Sequence, residues 1–336
     1  MFLFSFQQVG ILIAYIMVGF FLKKKKIVNE HAIKTLSVLL SYLFLPAYCV
    51  YNFSKSIDIN NIKTYLSFVV AGLVFFFIML LVSFFLSRLF SKDSYKRKCY
   101  IYMLLFPNFG YFGYPIIEAV FGQLVLVKFM IFCLAFSVAS TTFGYYMLTN
   151  SNQKLAIVCE NSEHCCEEKG SPKLMSNEVN KKSIWKSIFS LPTLGTIIGI
   201  LLGLLPIKKP DILFDLLSPA SNCMNACAMI LTGIVLAKIP FKKLFSCYKA
   251  YILTFVRLIA VPFIVAGLLV LFRIKNEMFI TLVSFSCLPI GMNAVVFPES
   301  VGKDASECAQ ACFISHAFAL VTMPLIFMFI QAIVGI

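Results

Sequence analysis

The apolar residues of this chain gather into ten runs, at about 4–22, 33–51, 64–87, 99–121, 125–147, 184–205, 212–237, 248–272, 278–297 and 309–334. Each run is close to the roughly 20 residues that a helix needs to cross a bilayer core. The pattern predicts ten transmembrane helices joined by short polar loops. The first run lacks a basic leader and is followed by Lys23-Lys24-Lys25-Lys26, which fits a retained span rather than a cleaved signal peptide.

The longest polar stretch, Thr149 to Lys182, falls between runs five and six. It divides the chain into 1–148, a linker at 149–183, and 184–336. Its Asn, Ser, Glu and Lys content predicts a flexible linker. Five spans on each side is an odd number, so two related halves would lie upside down to each other, the inverted-repeat plan of many secondary transporters. Similarity between the halves is weak, so parity carries this expectation.

Charge sets the orientation. The loops after runs one, three, five, seven and nine hold 21 of the 29 Lys and Arg, against 7 in the alternate loops, with Arg257 inside a run. Cytoplasmic loops carry such an excess, so the 149–183 linker is expected to be cytoplasmic and both termini non-cytoplasmic. The net charge of +14 is thereby a topology signal and does not imply nucleic-acid binding. With 60% apolar and 13% charged residues and a mean hydropathy of +0.90, a water-soluble enzyme is excluded. No P-loop, G-x-S-x-G elbow or HExxH occurs, so neither ATP-driven transport nor membrane hydrolysis is supported. No enzyme activity, cofactor or metal is expected. Most of the twelve Cys lie in apolar runs and read as small core residues. His164-Cys165-Cys166, with Cys159 nearby, sits in the linker without a CxxC pair, a weak metal signal.

Two runs contain helix breakers in their middles. Run four reads Phe106-Pro107-Asn108-Phe109-Gly110-Tyr111-Phe112-Gly113-Tyr114-Pro115, and run nine reads Cys287-Leu288-Pro289-Ile290-Gly291-Met292-Asn293, with Pro298 further on. Pro removes a backbone donor and clashes with the preceding turn, and Gly is a poor helix former. Broken backbone at membrane depth is tolerated only when buried in protein or lining a cavity. Interrupted segments at matching positions of two halves point to a transporter site. Ordinary kinking, with each Asn bonding a neighbouring helix, is the plainer alternative.

These residues carry a resemblance. Pro107 to Gly122, "PNFGYFGYPIIEAVFG", resembles the signature of the auxin efflux carrier family of permeases, matching it at Asn108, Gly110, Gly113, Pro115 and Gly122. Leu288 to Asp304 resembles its ninth-span pattern through Pro289 and Asn293, Ile314 to Phe327 its last span through Ser315, Thr322 and Pro324, and Ile230 to Ala237 its seventh-span Gly motif. The resemblance covers nearly all of the chain except 149–182. It implies an all-α membrane protein of ten helices in two inverted five-helix repeats, a crossover of spans four and nine, and organic-anion transport. Phe297-Pro298 departs from the pattern, so the second half of span nine is expected to be short.

On this reading Asn108 and Asn293 bind a carboxylate, with Asn225 alongside. Gly110, Gly113 and Gly291 let backbone approach it, and Pro107, Pro115 and Pro289 hold the helices broken. Pro115 suits the first turn of a half-helix whose dipole favours an anion. Pro46 and Pro219 fall at roughly matching places in runs two and seven, with Asn222 and Asn225 after the latter; they line the site or merely kink and join helices. Arg257 either attracts anions or pairs with backbone carbonyls. Glu118 and Asp215 are candidates for a charge role near the non-cytoplasmic side. No carboxylate falls at a predicted midplane, so transport is expected to need no proton or sodium partner. The remaining alternatives are a cation-coupled organic-anion symporter and a membrane sensor that binds a lipid or metabolite without turnover. The expected partners are the bilayer and a small organic anion, and a homodimer is compatible with the pattern.

Overall fold

A computed structural model describes residues 2–149, 191–205, 210–237, 247–274 and 276–335. The first half contains α1 (Phe2–Lys24), α2 (Glu30–Leu39), α3 (Leu45–Ser56), α4 (Ile62–Phe90), α5 (Ser94–Leu105), α6 (Tyr114–Phe121), α7 (Gln123–Phe132), α8 (Leu134–Ala139) and α9 (Tyr145–Thr149). The second contains α10 (Leu191–Leu204), α11 (Asp211–Leu236), α12 (Tyr248–Phe255), α13 (Val261–Leu271), α14 (Glu277–Ser286), α15 (Asn293–Ser300) and α16 (Ser306–Val334). Helices fall on all ten apolar runs. Among the described residues the only β-pairing outside helices is a single antiparallel bridge.

Among the described residues, five stretches are long and apolar enough to cross a bilayer: His31–Ser56, Ile59–Phe90, Asp211–Leu236, Tyr248–Leu271 and Ser306–Val334. Gln123–Phe132 with Leu134–Thr149, bent by 46°, makes a sixth, and Leu191–Leu204 and Glu277–Ser286 are shorter apolar helices. On α4 a file of large apolar side chains is exposed, including Leu66, Val70, Leu73, Phe77, Leu81 and Phe85. In water such a surface would be unstable; against lipid chains it is satisfied. This is a multi-pass integral membrane protein.

Local chemistry explains where the helices begin. Side chains of Asn29, Asp93 and Asn276 accept from the amides of Ala32 (2.8 Å), Lys96 (2.8 Å) and Met278 (3.1 Å) and cap α2, α5 and α14. Of four π-turns among the described residues, three, Leu40–Phe44, Phe109–Gly113 and Val256–Ala260, each precede a proline by two residues: Pro46, Pro115 and Pro262; the fourth, Ser140–Gly144, does not. A proline inside a helix lacks its donor and collides with the carbonyl four residues back. Widening that turn to the i→i+5 pattern lets the helix continue past it.

Small residues set the contacts between the halves. α1 packs along α11 and α10 packs along α3. A Cβ on Gly19 would sit 2.0 Å from the carbonyl oxygen of Ile230, and one on Gly233 would sit 1.9 Å from that of Ile16. Gly195, Gly199 and Gly203, four apart on α10, meet the backbone of Pro46, Cys49 and Phe53 on α3 at 2.8–2.9 Å in the same sense. Without a hydrophobic drive between helices in lipid, association rests on close backbone packing, which small residues four apart permit.

Candidate functional site

Run four breaks after α5. Only Phe106, Pro107 and Asn108 leave the helical path, and the π-turn Phe109–Gly113 then runs into α6. The sequence suggested a wider break through Pro115. The π-turn shortens it, because the Asn108 carbonyl accepts from the amides of Phe112 (3.2 Å) and Gly113 (2.9 Å). Gly110 and Gly113 thus lie in a helical turn. A Cβ on Gly113 would press on the Leu288 side chain at 2.8 Å, whereas one on Gly110 would enter open space. Run nine breaks between α14 and α15, over 287–292. Its second half, α15, has eight residues and contains Pro298.

The two breaks pair with each other. Pro107 and Ile290 form the antiparallel bridge. The Asn108 amide donates to the Pro289 carbonyl at 2.8 Å, and the Gly291 amide donates to the Phe106 carbonyl at 3.0 Å. Each broken segment thereby satisfies backbone groups of the other, which membrane depth requires. Gly291 is needed here for close approach: a Cβ would lie 2.9 Å from the Phe106 oxygen. The Ile290 amide donates to Ser315 Oγ on α16 at 3.2 Å, and Ser315 Oγ donates to the Cys312 carbonyl at 2.9 Å.

Arg257 is 2% exposed and lies on the π-turn between α12 and α13. Its Nε donates to the Leu288 carbonyl at 3.2 Å, and a second guanidinium nitrogen donates to the Leu104 carbonyl. It joins the last turn of α5 to Leu288 in the second break, two residues past the end of α14. Of the two roles the sequence left open, pairing with backbone carbonyls is the one this geometry supplies.

Asn108 is buried and its Nδ2 lies 3.1 Å from Nε2 of His316, itself 2% exposed on α16. His316 Nδ1 lies 2.8 Å from the Cys312 carbonyl, and the Phe112 ring meets the imidazole edge-on at 5.5 Å between centroids. Asn293, half-buried, opens α15, and its side chain faces the Tyr102 hydroxyl, which pairs with Ser140 Oγ at 2.8 Å. The two asparagines are therefore at the crossover but have different neighbours. His316 and Tyr102 were missed from sequence. An ionisable side chain inside run ten was the available signal for His316; nothing marked Tyr102 among so many aromatics.

Glu118 lies on α6 beyond the crossover. Its Oε2 accepts from the Tyr48 hydroxyl at 2.6 Å and from Asn225 Nδ2 at 3.2 Å, joining α3, α6 and α11. Asn225 Oδ1 is buried without a hydrogen-bond partner among the described residues. Asp215 is exposed on α11 and does not join this cluster; Asn222 is exposed as well. Pro46 lies under Gly195 of α10, and Pro219 lies within α11.

Recesses flank the crossover. The larger, open at its mouth, is bounded by Cys49 and Phe53 of α3, Phe109, Gly110 and Tyr114 of run four, and Thr196 of α10. A smaller one lies between Leu236, Met292, Val295, Glu299 and Cys312. Beyond the crossover the sequence halves are tied at their ends. Lys96 pairs with Glu307 at 2.5 Å, Tyr100 donates to Glu307 at 3.0 Å, and Lys303 donates to the Thr149 carbonyl at 2.5 Å. Burial, helped by Lys98, holds the Lys303 ammonium below the usual lysine range. Lys128 pairs with Glu277 elsewhere. The described cysteines are free; Cys49, Cys99, Cys133, Cys287, Cys308 and Cys312 are buried, whereas Cys223 is exposed. His164-Cys165-Cys166, Cys159 and nearly all of the 149–183 linker lie outside the described residues.

An uncharacterized transporter of Methanocaldococcus jannaschii is 24% identical over 321 residues, covering 94% of this chain and 95% of that protein. Residues 4–327 match the family described as membrane transport protein. With paired breaks in the fourth and ninth apolar runs and a match over nearly its whole length, the chain belongs to that membrane transport protein family, of the auxin efflux carrier type.

Proposed function

We propose that the protein is a secondary transporter of small organic anions that works by alternating access around the crossover. The observation that carries this is the pairing of the two breaks at Pro107 and Ile290. Ten spans in two inverted five-helix repeats is the architecture proposed with it. The reciprocal contacts support the repeat: span one on span seven is matched by span six on span two, as an inverted pair demands. The basic-residue bias supports a cytoplasmic 149–183 loop.

In this reading Asn108 and Asn293 supply uncharged donors to a carboxylate, Asn225 contributes beside them, and the open side of Gly110 gives it room. Neutral donors bind an anion without holding it so tightly that release fails. Arg257 keeps the half-helix ends in place rather than meeting the anion. Glu118, fixed by Tyr48 and Asn225, ties three helices beside the larger recess. Rocking of one bundle against the other would expose the site to each side in turn.

The test is flux. Protein reconstituted into liposomes should exchange labelled organic anions across the membrane, and Pro107→Ala with Pro289→Ala should slow exchange. Binding without any exchange would mark a sensor instead.

A further inference from the structure

We propose that His316 is the proton-binding group of the transport cycle, and that its protonation turns the Asn108 amide from presenting an acceptor to presenting donors toward the anion. This rests on the reading of the crossover as the anion site.

The hydrogen bonds fix the starting state. A carbonyl only accepts, so the 2.8 Å contact between His316 Nδ1 and the Cys312 carbonyl places a proton on Nδ1. In the neutral ring Nε2 is then an acceptor. Asn108 Nδ2, 3.1 Å away, donates to it. The NH₂ end of the amide is committed to histidine, and the Oδ1 end faces away from the ring. An acceptor oxygen is the wrong group to offer a carboxylate.

Protonation of Nε2 reverses this. Nitrogen-bound hydrogens would then face each other across the 3.1 Å contact. The terminal torsion of asparagine is broad and roughly two-fold, so the amide can rotate by about half a turn. Oδ1 then accepts from Nε2–H, and the NH₂ end is free to donate to an anion. A lone imidazolium at 2% exposure would be a buried charge without a counter-ion, which is costly. A carboxylate there without donors would fare no better. Each charge offsets the cost of the other, so proton and carboxylate bind together, and by linkage each raises affinity for the other equally. One proton is taken from water on the loading side and released on the opposite side with the anion; only the Nε2–H bond forms and breaks.

Other titratable groups leave His316 to this role. Arg257, on a turn packed against α16, is committed to the Leu104 and Leu288 carbonyls. The Cys287 thiol turns to the Ser284 carbonyl at 3.2 Å, and the Cys312 thiol, one turn back on α16, turns to the Gly291 carbonyl at 3.7 Å. The sequence argument against proton coupling looked for a midplane carboxylate; the ionisable group at the crossover is an imidazole.

The experiment uses proteoliposomes and labelled succinate, lactate and gluconate, with the potential clamped at zero by potassium and valinomycin. Exchange at equal pH tests the anion site itself. An interior one pH unit more alkaline should then drive about tenfold accumulation of the exchanged probe, the ratio for one proton per anion. His316→Gln should lose the gradient-driven accumulation. In weakly buffered detergent solution, adding that probe to wild type should take up about one proton per anion bound, a readout independent of any variant. Wild-type exchange without gradient-driven accumulation, accumulation that persists in His316→Gln, or binding without proton uptake would each overturn the inference while leaving the transporter reading standing. Absence of exchange for all three probes in wild type would overturn both.

Discussion

Arg257 and Leu288 are joined through the guanidinium Nε and the main-chain carbonyl at 3.2 Å, and the same arginine reaches Leu104. One buried cation therefore serves a carbonyl in the last turn of α5 and one in the break just past α14, where no further helical turn exists to use them. It also lies at the negative ends of both helix dipoles. Arg257→Met should leave these carbonyls unpaired and cost about 1.5–3 kcal/mol per charged hydrogen bond. The readout is the aggregation midpoint in detergent, which should fall by several degrees, with Arg257→Lys intermediate because one ammonium cannot span both carbonyls as a guanidinium does. Wild-type stability and flux in Arg257→Met would show the clamp to be idle.

Asn108→Ala and Asn293→Ala should each weaken anion binding with the fold retained. Losing one charge-assisted bond, at about 1.5–3 kcal/mol, corresponds to roughly a tenfold to hundredfold loss of affinity. Asn108→Ala should be the more severe, since it also strips His316 Nε2 of its partner. Titration of labelled anion binding to purified variants decides this; unchanged affinity in both would make the asparagines helix connectors and move the site elsewhere.

The breaks were legible because Pro, Gly and Asn are conspicuous inside apolar runs. Their pairing was not, since the bridge between Pro107 and Ile290 depends on how two distant segments meet. Pro115 was read as the first turn of a half-helix, and it does lie in the first turn of α6; the break is shorter than the run of Pro and Gly suggests because the π-turn Phe109–Gly113 already carries helical backbone up to it. Arg257 stood between attracting anions and pairing with backbone carbonyls, and only the fold brings the Leu104 and Leu288 carbonyls to it. Glu118 stood out only as a candidate charge near the non-cytoplasmic side; Tyr48 and Asn225, both remote in sequence, hold it. His316 stood in view in run ten but attracts attention only once Asn108 is beside it.

The proposed orientation places both termini on the non-cytoplasmic side. A tag at Met1 or Ile336 should be reached by an impermeant reagent added outside intact cells, and one inserted within 149–183 only after permeabilisation. The excess of Lys and Arg in alternate loops motivates this. Access to either terminus only from the cytoplasm would sink the ten-span architecture, because an even count with this charge bias leaves no other arrangement.

The contact between α1 and α11 depends on having no side chain at two positions. Gly233→Ala would place a methyl 1.9 Å from the Ile16 carbonyl oxygen, a backbone atom that cannot swing aside. The helices would have to separate along their length, losing close packing that lipid does not replace. Overpacking of this kind costs about 1–3 kcal/mol. Gly267→Ala on α13 is the control, because a Cβ there meets nothing within 4 Å. Alanine also favours helix over glycine by about 1 kcal/mol, so the control should be neutral or slightly stabilising. Thermal aggregation in detergent should therefore separate the pair, with Gly233→Ala lower than wild type and Gly267→Ala equal or higher. If both variants shift alike, the glycines of α1 and α11 are not what sets the distance between the two halves.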